Sequence, residues 1–85
     1  MRESVSDDAG AAAFLLRLGD RVKEARARRG MTRRILARDS GVSERYLAQL
    51  ESGAGNISIV LLRALARALD VPLESIVRDG PEASL

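Results

Sequence analysis

The sequence predicts an all-α bundle of five helices, and three observations carry that expectation. Apolar residues recur at intervals of three and four through residues 11–77. Gly30, Gly41, Gly53 and Gly55 fall between the periodic stretches, where chain reversals are needed. Thr32, Ser43 and Ser58 each stand immediately before such a stretch, as residues that cap helix starts do.

Residues 1–10, MRESVSDDAG, are polar and acidic without periodicity and are expected to form a flexible arm. From Ala11 a first helix is expected, with Phe14, Leu15, Leu18, Val22 and Ala25 on one stripe. Gly30 ends it after Arg29, and Arg17, Asp20, Arg21 and Glu24 form its solvated side. Met31 is expected to plug the corner, and Thr32 to cap a second helix over 33–40 whose apolar side is Ile35, Leu36 and Ala37. The stretch 39–43, DSGVS, then turns the chain: Gly41 can take the required backbone angles and Ser43 can cap a third helix ending near Ser52. Val42 and Leu47 have the spacing of a hydrophobic staple around that cap. Tyr46, Leu47 and Leu50 share a face of the third helix, and Ala37, Gly41, Leu47 and Leu50 are expected to fill the angle between the two helices. The pair reads as a helix-turn-helix.

A loop by composition, Gly53 to Asn56, leads to Ser58 and a fourth helix, Ile59 to Leu69, with Ile59, Leu62, Leu65, Ala66 and Leu69 inward. Pro72 fits the first turn of a short fifth helix that turns Leu73, Ile76 and Val77 to the core. Residues 78–85 have the composition of a linker, as if the chain were the front part of a longer protein.

Eighty-five residues suit one domain with a modest core. At 46% apolar residues, with one Tyr and one Phe, that core is Leu, Ile, Val and Ala, and an aromatic platform for stacking single-stranded bases is excluded. Without cysteine or histidine there are no disulfides, no thiolate or imidazole metal ligands and no nucleophile–histidine pair, so an enzyme is the weakest functional class. No cofactor is expected. No apolar run reaches membrane-spanning length and the N-terminus lacks a signal-peptide pattern, so a cytoplasmic place is expected.

The net charge of +2 is unevenly spread. Residues 17–45 hold ten basic and four acidic side chains, a local excess of +6, and the rest of the chain is net acidic. Thirteen of the fourteen cations are Arg, the side chain shaped for bidentate contacts to phosphate or guanine. That concentration on the helix-turn-helix points to double-stranded DNA.

The face of the third helix left over by Tyr46, Leu47 and Leu50 carries Glu44, Arg45, Ala48, Gln49 and Ser52. Arg45 is the candidate for a bidentate contact to guanine, against the alternative of a phosphate clamp. Gln49 can read adenine or guanine, or simply be solvated. Glu44 can accept from cytosine or complement the positive helix start, and Ala48 offers a methyl to thymine or leaves room. Candidate phosphate contacts are Thr32, Arg33, Arg34, Arg38, Ser43, Tyr46 and Asn56, which lie at helix starts, on the second helix or in the loop before the fourth. Capping competes with contact at Ser43, and a core place with a polar tip is favoured for Tyr46. Arg34 and Arg38 are phosphate contacts or simply the solvated face of the second helix, and Arg63 and Arg67 on the fourth are read as solvated.

Leu18-Gly19-Asp20-Arg21-Val22, Arg29-Gly30-Met31-Thr32, Leu36-Ala37, Gly41-Val42-Ser43, Leu50-Glu51-Ser52-Gly53 and 66–71, ARALDV, occur in an order that resembles the Cro/cI-type (XRE-like) helix-turn-helix regulators over about 15–77. The resemblance implies a lambda-repressor-like five-helix fold that binds DNA as a two-fold dimer, on a palindromic operator, with the third helix in the major groove. It also implies a partly buried ion pair between Arg26 and Glu51. Many members have Gln at the first position of the second helix, where it contacts phosphate and braces the reading helix; here that residue is Arg33. More narrowly, SGVSERYLAQLESG followed by GNISI is similar to the N-terminal domain of BoxR- and BzdR-type regulators of benzoyl-CoA catabolism. In those a shikimate-kinase-like effector domain follows.

The leading expectation is therefore sequence-specific DNA binding by a bacterial transcription regulator acting as a repressor. The alternative is a protein-interaction module, such as an antitoxin-like domain whose basic face docks an acidic partner. Apolar residues left over around the start of the fourth helix and on the fifth, Ile57, Val60 and Ile76, are the candidates for a homodimer interface, with core burial favoured for Ile76.

Overall fold

The computed structural model describes residues 9–79. Its elements are α1 (Ala9–Arg28), α2 (Arg33–Ser40), α3 (Glu44–Glu51), α4 (Ile59–Leu69) and α5 (Glu74–Val77), with no strand among the described residues. Most of the expected N-terminal arm and linker-like tail, residues 1–8 and 80–85, lies outside the described residues.

The three predicted caps form as hydrogen bonds. Thr32 Oγ1 accepts from Ile35 N at 3.1 Å, Ser43 Oγ from Tyr46 N at 3.0 Å and Ser58 Oγ from Leu61 N at 3.1 Å. Each satisfies a backbone donor that the helix cannot, a contribution of about 1 kcal/mol apiece. Helix ends are equally regular. Met31 N donates to Arg26 O and Gly30 N to Ala27 O, the paired bonds that close a helix through a left-handed residue. The same pair recurs from Ala54 and Gly53 at the end of α3, and from Val71 and Asp70 at the end of α4, where Asp70 takes φ 58° without being glycine.

The core lies where α1 packs on α3, α4 and α5 while α2 packs on α3 and α4. Leu18, Val22 and Ala25 of α1, Leu36 of α2, Val42 at the corner, Leu47 and Leu50 of α3, Leu62, Leu65, Ala66 and Leu69 of α4, and Ile76 of α5 are buried. Phe14, Met31, Ala37, Tyr46, Ile57, Leu73 and Val77 pack against them from the edge.

Several details depart from the sequence pattern. α1 begins at Ala9, two residues early, because an Ala-rich stretch has high helix propensity but no apolar rhythm to mark it. Ile59 is 58% exposed rather than buried, at an open groove that it lines with Phe14, Leu15 and Leu62. Gly41 is exposed, and Val42 fills the angle between α2 and α3; Gly41 serves the corner through its φ of 80°. Pro72 precedes α5 rather than opening it, and its carbonyl accepts from both the backbone N and the Oγ of Ser75.

Arg21 is the largest departure. It is buried, not solvated, and its guanidinium donates to the carbonyls of Ile76 and Arg78. One turn earlier Arg17 pairs with Asp79 at 3.1 Å. Two α1 arginines thus hold the segment that follows α5 against the bundle.

Candidate nucleic-acid interface

The candidate reading helix α3 is seated by backbone contact and by charge. Gly19 of α1 lies so close to the end of α3 that a Cβ there would stand 2.2 Å from Leu50 O and 3.1 Å from the Cα and carbonyl carbon of Glu51. At that crossing the two backbones touch directly. Beside it, Glu51 presents a carboxylate whose side chain is 1% exposed. Arg26 of α1 grips both oxygens, Nε to Oε2 at 2.8 Å and Nη2 to Oε1 at 3.0 Å, and its Nη1 reaches Met31 O at 2.9 Å. Arg33 of α2 adds a third bond, Nε to Oε1 at 2.9 Å. One carboxylate therefore ties the end of α3 to both α1 and the start of α2. The sequence implied the Arg26 arm through resemblance; the Arg33 arm gives the residue that replaces Gln a bracing contact of its own. The Arg33 side chain is still 42% exposed.

The electrostatics of this cluster have a pH consequence. Burial alone would raise the Glu51 pKa, but the hydrogen bonds from Arg26 and Arg33, with their charges, outweigh it and hold the carboxyl below its ordinary value. In return, the bond to Glu51 raises the Arg26 pKa against the opposing effect of burial. A carboxyl depressed on folding adds stability that is complete above its unfolded pKa and lost as pH falls through the folded one. Thermal melting from pH 6 down to about pH 2 is therefore expected to show a steeper fall below about pH 4.3 for the native protein than for Glu51→Gln, which cannot titrate there.

On the opposite side of α3, Glu44, Arg45, Ala48, Gln49 and Ser52 are exposed. Ser52 Oγ is turned back onto Gln49 O at 2.9 Å. The side chains of Glu44, Arg45 and Gln49 make no hydrogen bond or ion pair with any described residue. Three polar groups at this spacing form a ridge free to meet an external partner. The second group of candidates lies on α2, at the caps of α2 and α3 and in the loop before α4. Thr32, Arg34, Ser43 and Asn56 are exposed, with Thr32 and Ser43 also serving as caps. Arg38 is exposed and pairs with its neighbour Asp39 at 2.9 Å, an exchangeable partner at a surface site.

Tyr46 behaves differently. Its ring packs against the core and its hydroxyl donates to the Asn56 carbonyl at 3.0 Å. The one phenolic proton is thus already in use, and a phosphate oxygen, which only accepts, would have to compete for it.

A family model described as helix-turn-helix, HTH_3, matches residues 22–76. The chain belongs to the HTH_3 family. Solved structures agree with this membership. The restriction-modification controller protein C.AhdI from Aeromonas hydrophila aligns with TM-score 0.73 at 34% identity, covering 75% of this chain and 97% of that one. The clp gene regulator ClgR from C. glutamicum gives 0.70 at 34% identity, over 75% and 83%. An HTH_3 family transcriptional regulator from Vibrio cholerae gives 0.74 at 26% identity, with 78% of this chain matching only 37% of that one. No curated protein matches the chain. As an HTH_3 member it is a DNA-binding domain of the transcription-regulator class, its partner is double-stranded DNA, and it is not an enzyme. Among the described residues no helix is long and apolar enough to cross a membrane.

Proposed function

We propose that this HTH_3 domain recognises a specific operator by laying α3 in the major groove and that it acts as a repressor by occupying that site. The observation that carries the reading is the unpartnered ridge of Glu44, Arg45 and Gln49 on a helix whose other side is fixed by Gly19 and Glu51. A reader must be rigid behind and free in front, because base edges reward side chains already held at the right depth. Arg45 takes a guanine, Gln49 a base one turn further on, Glu44 favours cytosine and Ala48 leaves room for a thymine methyl. Thr32, Arg33, Arg34, Arg38, Ser43 and Asn56 contact phosphates on either side and set the register.

The domain binds as a symmetric pair on a palindrome. Ile59 and Val60, 58% and 67% exposed, open α4 beside a shallow apolar groove lined by Phe14, Leu15 and Ile57, and supply the surface for a second copy. Ile76 is buried in the core and takes no part in it. The similarity to BoxR- and BzdR-type regulators supports an effector domain following this one and an aromatic CoA thioester as its ligand.

Selection of binding sites from random duplexes, repeated over a range of salt, tests the reading. A palindrome is expected, and Arg45→Ala is expected to relax preference at one base pair in each half-site, a loss of about 1–3 kcal/mol of discrimination. Salt-dependent binding without any enriched sequence would instead favour docking to an acidic protein partner.

A further inference from the structure

Residues 55–57 cross from the end of α3 to the cap of α4, and Asn56 projects from them into solvent. Gly53 and Ala54 are bonded back to α3 through Leu50 O and Gln49 O, and Ser58 is bonded forward into α4. Between those anchors the loop makes one hydrogen bond to any described residue, the bond that Asn56 O accepts from Tyr46. Gly55, with φ 80°, adds no side chain to stiffen the span. The position of Asn56 is therefore set on one side by the packing of Ile57 against the core and on the other, through its own carbonyl, by the hydroxyl of a residue whose ring is packed into the bundle.

We infer that Tyr46 is a positioning residue for DNA binding: through the Asn56 carbonyl it fixes the loop from which the Asn56 side chain meets the phosphate backbone, and it is not itself a phosphate ligand. The inference rests on the proposed placement of α3 in the groove. With that placement, the hydroxyl is the one hydrogen bond that ties the Asn56 backbone to α3. Removing the oxygen leaves the ring in place and frees only the loop.

The test compares Tyr46→Phe, Asn56→Ala and the double variant, using fluorescence anisotropy on the duplex selected by the native protein. Melting of Tyr46→Phe is expected to stay close to native. Its affinity is expected to fall about three- to tenfold, the range for one neutral hydrogen bond. In the double variant the hydroxyl acts only through a side chain no longer there, so the two losses are expected not to multiply. Amide exchange at residues 55–57 in the free Tyr46→Phe protein is expected to speed up as well. Full multiplication of the two losses would make Tyr46 an independent phosphate ligand and overturn the inference, as would native affinity in Tyr46→Phe. A native protein that selects no duplex would overturn this inference together with the placement of α3 on which it rests; a native protein that selects a duplex, with either of those two contrary results for Tyr46→Phe, would strike this inference alone.

Discussion

Glu51→Ala is expected to destabilise the domain by about 3 kcal/mol, the low end of the range for breaking a buried ion pair by removing one partner. The low end applies because the two cations differ in their access to water. Arg33, 42% exposed, can swing out and rehydrate, whereas the Arg26 side chain, 15% exposed, is left beside the core with only Met31 O to hold it. For a domain of this size such a loss lowers the melting temperature by roughly 12–24 °C, which calorimetry or circular dichroism would resolve. Glu51→Gln keeps the shape and one acceptor and is expected to fall in between. The informative companion is Arg26→Met with Glu51→Leu, since replacing both charges by apolar groups of similar bulk removes the desolvation penalty along with the attraction. Stability is expected to recover largely in that double variant. A drop in melting temperature under about 3 °C for Glu51→Ala would show that the carboxylate is a surface charge in practice and that α3 is held by packing alone.

What could be read from the sequence divides along a physical line. The caps Thr32, Ser43 and Ser58 were legible because each is a bond over three residues, set by local chain geometry. The buried faces of α2 and α3 followed from periodicity for a related reason. The α3 ridge was legible as the complement of that face, and the structure leaves its polar members unpartnered. Contacts between distant segments were not legible in this way. Arg21 sits at a position that α1 alone would give to solvent, and only the arrival of residues 76–78 from the far end of the chain buries it. Ile59 kept the helical rhythm of α4 yet stands exposed at an open groove, because rhythm fixes a side but not how closely the neighbours on that side pack. The Arg33–Glu51 bond joins residues eighteen apart and had no local sign. Gly19 appeared in the sequence only as part of a resemblance, although the structure gives it a specific task.

That task makes Gly19→Ala the second large effect. On helix propensity alone the change should help, by about 1 kcal/mol, because glycine inside a helix is entropically unfavourable. The added methyl, however, would sit 2.2 Å from Leu50 O, and the obstructing atom is backbone that no rotamer change can clear. Either α3 shifts away from α1 or the α1 helix bends, and both displace Glu51 from Arg26. Overpacking typically costs about 1–3 kcal/mol, and here the displaced ion cluster adds to it, so a net loss of about 2 kcal/mol is expected in spite of the propensity gain. Gly30→Ala is the control. There φ is +66° with nothing within 4 Å of the new methyl, so only the left-handed backbone strain is felt, about 1–2 kcal/mol, and α3 stays where it is. The two variants should then part company on DNA. Gly19→Ala, refolded fully at low temperature, is expected to lose sequence discrimination because its ridge stands at the wrong depth, while Gly30→Ala under the same conditions keeps it. If Gly19→Ala proved as stable and as selective as the native protein, α3 could ride higher on α1 without consequence, and the close approach at Gly19 would have no part in setting the position of the ridge.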